Sequence, residues 1–160
     1  MEIKIVSVSV PQGSNVVIGQ THFIKSAEDL YEVMATHAQG AEFGIAFSEA
    51  SGPCLIRREG NCDELEKAAA DACMAIGAGH IFVLIMRKAY PISVLNAIKV
   101  VQEVCNVFCA TANPLGVVVA EADGRRGVLG VIDGDAPKGV ESDADRESRK
   151  AFLRKIGYKR

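Results

Sequence analysis

Tryptophan is absent from the sequence, and aromatic residues make up only 6% of its 160 positions. A broad base-stacking platform of the kind that holds single-stranded nucleic acid has little material to be built from, so any nucleobase site must rest mainly on amides and aliphatic side chains. A strong charge of either sign is missing too: 18 Lys and Arg against 20 Asp and Glu give a formal net charge of -2. Binding nucleic acid over the whole surface needs many phosphate-neutralising cations, which leaves only a local basic patch for that role, and nucleic acid is not an expected partner. The uncharged stretches Ala72–Met86 and Val104–Ala120 are interrupted by Gly, His, Asn or Pro. Neither forms a continuous apolar span of bilayer length, and no membrane partner is expected.

The five cysteines, Cys54, Cys62, Cys73, Cys105 and Cys109, form an odd set with no CxxC pair, and most sit in apolar runs. That usage fits a reducing compartment, and Cys105 and Cys109 have no His at ligand spacing, so no metal site is expected. The opening Met1-Glu2-Ile3-Lys4-Ile5-Val6 places an acid at the second position of an alternating pattern. It reads as a first strand rather than a signal peptide, and the expected location is cytoplasmic. There is no Walker A loop, no GxGxxG after a strand and no protein-kinase motif set, so a phosphate site would have to be assembled from scattered side chains.

What is present is one domain's worth of chain, with 49% hydrophobic and 24% charged residues. At this length roughly 68–70% of the unfolded surface can be buried, enough for one core without staples. Helices are expected from Ser26 toward Gly40 with Asp29 completing a capping-box pattern, from Asn61 to a Gly77 stop, and from Pro91 toward Cys105. Strands are expected at Phe43–Phe47, Cys54–Arg57, Ile81–Met86, Val107–Ala110, Val117–Glu121 and Gly127–Ile132, the last two as a hairpin. Ile81–Met86 is apolar at every position, as in a central strand covered on both faces. The expectation is an α/β fold: a single three-layer domain with a mixed β-sheet packed by helices, plus a C-terminal basic helix. Residues 1–134 form the body, and residues 135–160 are a loop and basic helix packed on the same domain. Residues 146–160 carry seven Lys and Arg against Glu147, a local +6, which leaves 11 Lys and Arg against 19 acids, or -8, elsewhere. Phe152 and Ile156 give that helix one apolar stripe, suited to docking on its own body or a sister subunit.

Four places hold side chains able to do chemistry. Gly77-Ala78-Gly79-His80 sets an imidazole between a glycine-rich helix exit and the most buried strand. His80 reads either as a nucleophile toward phosphorus or as a satisfied core histidine at a strand mouth. Gln20, His22 and Lys25 lie just before the first helix, where a helix N-terminus favours an anion, or else form an ordinary polar strand end. Glu49 and Ser51 stand in a turn after a strand, with Glu49 able to accept a hydroxyl proton and Ser51 to donate to a phosphate, or with the turn doing nothing more. Asn96 and Asn113 offer the donor and acceptor pair that an adenine edge needs, and Arg125 and Arg126 stand at a hairpin tip.

Several of these residues fall in longer blocks: Asn15–Lys25 (NVVIGQTHFIK), Phe43–Gly52 (FGIAFSEASG), Ile76–His80 (IGAGH), Pro91–Lys99 (PISVLNAIK), Ala110–Pro114 (ATANP) and Gly127–Gly134 (GVLGVIDG). Together they resemble the adenosine-specific kinase family of archaea and some bacteria, in order from about Ile3 to Gly134. The resemblance implies a small α/β domain that assembles into homo-oligomers, trimers by expectation, binds adenosine and AMP, and carries a phosphorylated histidine. His80 matches that histidine best, with His22 as competitor, and Arg126 matches the family's Arg-Gly pair. The implied function is phosphoryl transfer from ATP to adenosine, forming AMP, with Mg²⁺ accompanying the nucleotide. The alternative is a non-catalytic adenosine or AMP sensor with a stable phosphohistidine. The implied catalytic set is His80, Glu49 and Lys25, and the implied binding set is Asn15, Gln20, His22, Phe23, Ser51, Asn96, Asn113 and Arg126. The basic tail beyond Gly134 lies outside the matching blocks.

Overall fold

The computed structural model describes residues 1–160. In chain order its elements are β1 (Glu2–Val8), β2 (Asn15–Thr21), α1 (Ser26–His37), β3 (Glu42–Ser48), β4 (Ile56–Gly60), α2 (Asp63–Ile76), β5 (Ile81–Arg87), α3 (Pro91–Lys99), β6 (Val104–Thr111), β7 (Leu115–Ala122), β8 (Arg125–Asp133) and α4 (Asp143–Lys155). Strands β4-β3-β5-β2-β6 form a five-stranded sheet and β1-β7-β8 a three-stranded one. The uninterrupted apolar run of β5 has the expected cause, since it is the central strand of the larger sheet and both its faces are covered. Val83 and Ile85 belong to a core shared with α2 and β7, while Phe82, Leu84 and Met86 belong to a second core shared with α1 and α3. The molecule is therefore three layers, with α1 and α3 on one face of the large sheet, and α2 with the small sheet on the other.

The α/β class, the layering and the C-terminal helix are as expected, but the sheet is not mixed. Every adjacent pair of strands is antiparallel. The helical connections explain the difference. Each of α1, α2 and α3 joins two strands that run in the same direction but are not neighbours; the strand between them runs the other way. The strand–helix–strand pattern in the sequence is real, and interleaving removes the parallel pairs it would otherwise make.

Two caps also differ. Ser26 does not cap α1; its hydroxyl is spent on the Phe23 carbonyl and on Thr21 Oγ1. Asn61 does not cap α2 either; its amide joins Phe43 N–H and the Ala41 carbonyl at 2.8 Å each, tying α2's entry to β3. A complete capping box appears instead at Ser142 and Asp145, where α4 starts. No residue from Gly134 to Arg160 is buried, and α4 stands off the body as an arm.

Candidate active site at one end of the large sheet

At one end of the large sheet β2 and β3 run out while β5 and β6 begin, with Gln20 opposite both Ile81 and Asn106, and Phe47 opposite Phe82. His80 stands immediately before β5 and is tied to both neighbouring strands. Its N–H donates to the Ser48 carbonyl at 2.7 Å, and its own carbonyl accepts from Thr21 N–H at 2.9 Å. These bonds hold His80 at φ +60°, a left-handed conformation that non-glycine residues rarely adopt and that concentrates at functional sites. Gly77, at φ +65°, ends α2 three residues earlier and turns the chain into this position. The His80 ring stacks on Phe47 with centroids 6.0 Å apart and meets His22 edge-on at 6.2 Å. Phe23 lies 6.2 Å beyond His22. The two candidate histidines and the aromatic Phe23 thus share one surface, with Gln20 at its edge.

Two residues that the sequence did not single out complete this place. His22 N–H donates to the carbonyl of Glu103 at 2.8 Å, as His80 N–H does to Ser48. Ser48 Oγ and both carboxylate oxygens of Glu103 are the buried side-chain polar atoms without a hydrogen-bond partner. Burying such atoms unpaired costs about 1–3 kcal/mol each, and native proteins keep few of them without a use. The two backbone carbonyls that hold the histidines therefore belong to the two residues whose side chains are left wanting a partner. Glu103 is 6% exposed, and the nearest cation is Lys25, whose Nζ lies 3.6 Å from Glu103 Oε1. The hydrogen bond to Asp29, and after it the charge of Glu103, hold the Lys25 ammonium above its ordinary range, so it is a firm positive charge.

Beyond His80 a cavity of about 600 Å³ opens between the Gly77-Ala78-Gly79 exit of α2, the end of β3 and the β7–β8 hairpin. Ser48, Glu49, Arg125 and Arg126 line it. Arg126 has structural work there. It pairs with Glu121 at 2.7 Å and donates to the Ala75 and Ile76 carbonyls at 3.1 and 3.3 Å, closing the C-terminus of α2. Glu49 is likewise committed: Oε2 accepts from Leu55 N–H at 2.8 Å, and Oε1 accepts from the Arg57 guanidinium at 2.8 and 2.7 Å. The Leu55 bond first, and Arg57 with it, hold the Glu49 carboxyl below the usual glutamate range. An ionised carboxylate with its lone pairs occupied is a turn clamp and a poor base for a hydroxyl. Ser51 is exposed in the turn that Glu49 closes. Cys73, on the cavity wall, is pushed up to about 12 by burial and stays a thiol.

Three expected binding residues lie elsewhere. Asn15 starts β2 at the opposite end of the sheet from Gln20, roughly 17 Å along the strand, and donates to the Ala89 carbonyl at 3.1 Å. Asn113 is at that far end too, joined to Asp133 at 3.1 Å beside Thr111. Asn96 is on the exposed side of α3. The reason is the antiparallel sheet, which sends the start of β2 and the end of β6 away from the strand end that holds His80.

The family model described as adenosine specific kinase matches residues 6–159. The match runs through the basic tail, which the sequence blocks left outside. Among solved structures, the chain is similar to the crystal structure of the PH1918 protein from Pyrococcus horikoshii OT3, at 43% identity and a TM-score of 0.95, covering 99% of this chain and 98% of that one. No curated protein matches.

Proposed function

Because this chain belongs to the adenosine-specific kinase family, we propose that its adenosine-kinase-like activity runs through a phosphohistidine at His80. The carrying observation is the coincidence at the sheet end: two imidazoles 6.2 Å apart, each fastened by a residue with an unsatisfied buried side chain. In the first step a neutral His80 ring nitrogen attacks the terminal phosphorus of ATP; the N–P bond forms, the bond to the bridging oxygen breaks, and ADP leaves with that electron pair. In the second step the 5′ hydroxyl oxygen of adenosine attacks the same phosphorus. The P–N bond breaks, AMP forms, and the imidazole leaves with its electrons while the hydroxyl proton passes to His22. Catalysis of this kind is chiefly positioning and charge stabilisation. Lys25, three residues after His22, supplies a positive charge, Ser48 a hydroxyl donor at the cavity, and Arg125 a further cation on the hairpin side. Phe23, exposed beside His22, gives the nucleoside an apolar flank. Mg²⁺ would arrive on the triphosphate; no three His, Cys, Asp or Glu side chains gather into a cage for it. The working form is a homo-oligomer, a trimer by resemblance, and no helix of the chain is long and apolar enough to cross a membrane.

One observation favours a second reading. The only carboxylate on the cavity wall, Glu49, is occupied by Leu55 and Arg57, so a nucleoside hydroxyl finds no free carboxylate base there. A site of that kind suits a sensor, in which phospho-His80 is a lasting mark and adenosine or AMP is only bound. Loading the protein with ATP labelled on the terminal phosphate separates the two. Transfer through His80 predicts acid-labile label that moves to AMP, at the turnover rate, when adenosine is added. His80→Asn should then abolish both the label and AMP formation, whereas His22→Asn should keep the label and slow its discharge. Label that persists in the presence of adenosine supports the sensor, and full AMP formation by His80→Asn removes the covalent route.

A further inference from the structure

The arm built by α4 is a well-formed element with nothing to rest on. Its start has a full capping box and its end a left-handed Gly157, yet no residue from Gly134 to Arg160 is buried. A single helix of 13 residues is marginal in water, where most helices draw their stability from packing an apolar face. This one leaves Phe152 57% exposed, with Ile156 and Tyr158 also open beside it. The likeness to the Pyrococcus crystal structure covers 99% of the chain at a TM-score of 0.95. So close a score leaves no room for a tail of this length lying elsewhere, and the same arm posture therefore exists in a crystal. Something other than its own body holds it there.

A second uncovered apolar surface lies on the small sheet. Its inner face packs Val117 and Val119 into the core, while its outer face carries rows in which Ile3 meets Ala120 and Gly127, and Ile5 meets Val118 and Gly130. Ile3 is 64% exposed, Ile5 62% and Leu129 59%. A Cβ placed on Gly127 or Gly130 would meet nothing within 4 Å, so the floor between these side chains is open at backbone level and admits a close-packed helix. The arm's exposed apolar side chains match this floor in kind, and most of its cations are engaged within the arm itself: Arg146 and Arg149 pair with Glu141, Lys150 with Glu147, and Arg154 donates to the Lys150 carbonyl.

We infer that the arm of one copy docks Phe152 and Ile156 on the outer face of the β1-β7-β8 sheet of a second copy. This rests on the homo-oligomer part of the proposed function and gives that oligomer its contact. Each chain presents one apolar arm and one uncovered apolar face, so copies satisfy each other in equal numbers with no third component. The test is the mass in solution of the full chain at micromolar concentration, by light scattering or sedimentation. The arm variant is Phe152→Glu with Ile156→Glu; the face variant is Leu129→Glu, with Ile5→Glu with Leu129→Glu as its stronger form. All the substituted side chains are exposed, so circular dichroism and the melting of the body should stay unchanged. The wild-type chain is expected to be an oligomer and each variant a monomer. Mixing the arm variant with the face variant should restore a complex, because one intact arm then meets one intact face. An oligomer that survives both variants overturns the contact but leaves the homo-oligomer standing, whereas a monomeric wild-type chain overturns both. Monomeric variants that fail to complement each other also overturn it. So does an arm variant that keeps its mass but loses affinity for single-stranded DNA, since the arm's occupant would then be a nucleic acid.

Discussion

A buried carboxylate with no hydrogen-bond donor is a poor investment for folding alone, and Glu103 is such a group. Its one polar contact is a long ion pair to the half-exposed Lys25 ammonium at 3.6 Å, so exchanging the carboxylate for a neutral amide of the same shape gives up little. Glu103→Gln should therefore leave the urea-unfolding free energy unchanged or raise it by about 1 kcal/mol. Adenosine phosphorylation should fall, by about tenfold in the arithmetic of one lost charge contact of about 1.4 kcal/mol, because Lys25 loses the carboxylate that faces it across 3.6 Å. A strongly destabilised variant with normal activity would make Glu103 a structural residue. Glu49 is the opposite case. Its carboxyl is held below the glutamate value of 4.5 by bonds that exist only in the folded chain, so its contribution to stability is in place above that pH and is lost as pH falls through its folded value. The stability gap between wild type and Glu49→Gln, measured by denaturant titration, should be largest near neutrality and close toward pH 3. If Glu49 were instead a catalytic base with free lone pairs, the gap would be small at every pH and activity alone would change. His80 was legible because two glycines and a buried strand frame it in the sequence. Glu103 was not, because one acid after a helix says nothing about burial until β6 and α1 close over it.

Helix α2 shows how an element's end becomes part of a site. Gly77 takes φ +65° there, and a Cβ on it would approach Arg126 Nη1 at 3.2 Å, the guanidinium that closes the helix through Ala75 and Ile76. Gly77→Ala must pay for the left-handed backbone and push on that guanidinium, for a loss of about 1–2 kcal/mol. The melting temperature should fall accordingly, and the proposed labelling of His80 by ATP should fall with it, since Gly77 aims the loop that carries the histidine. A variant as stable as wild type would mean that the cap carries no strain. The glycine stop was readable, as were the apolar β5 and the β7–β8 hairpin, because each is written in neighbouring residues. The caps at Ser26 and Asn61 misled because their side chains found tertiary partners in Thr21, Phe43 and Ala41, none of which the local pattern names. Antiparallel pairing was equally hidden, since a strand–helix–strand unit reads the same whether its strands are neighbours or have a third between them.

The whole molecule is a body of three layers, rich in acid, with a cationic arm attached through an exposed tether, and near-neutral net charge conceals that division. The two parts should differ in how they hold their backbone hydrogen bonds. Amides of β5 lie in the centre of the large sheet with both faces covered, and their exchange requires opening of the body. The amides of α4 have no such cover within their own chain, and a solitary helix of this length opens readily. On the proposed docking, slow exchange in α4 comes from contact with another copy. In hydrogen–deuterium exchange of the wild-type chain at micromolar concentration, peptides spanning residues 143–155 should be protected, and protection should fade on dilution as the docked copies separate. In the Phe152→Glu, Ile156→Glu chain the same peptides should exchange within the earliest time points, while β5 stays as slow as in wild type. Equal protection of α4 at all dilutions and in that variant would mean that the arm is held by its own body, through contacts that bury none of its residues.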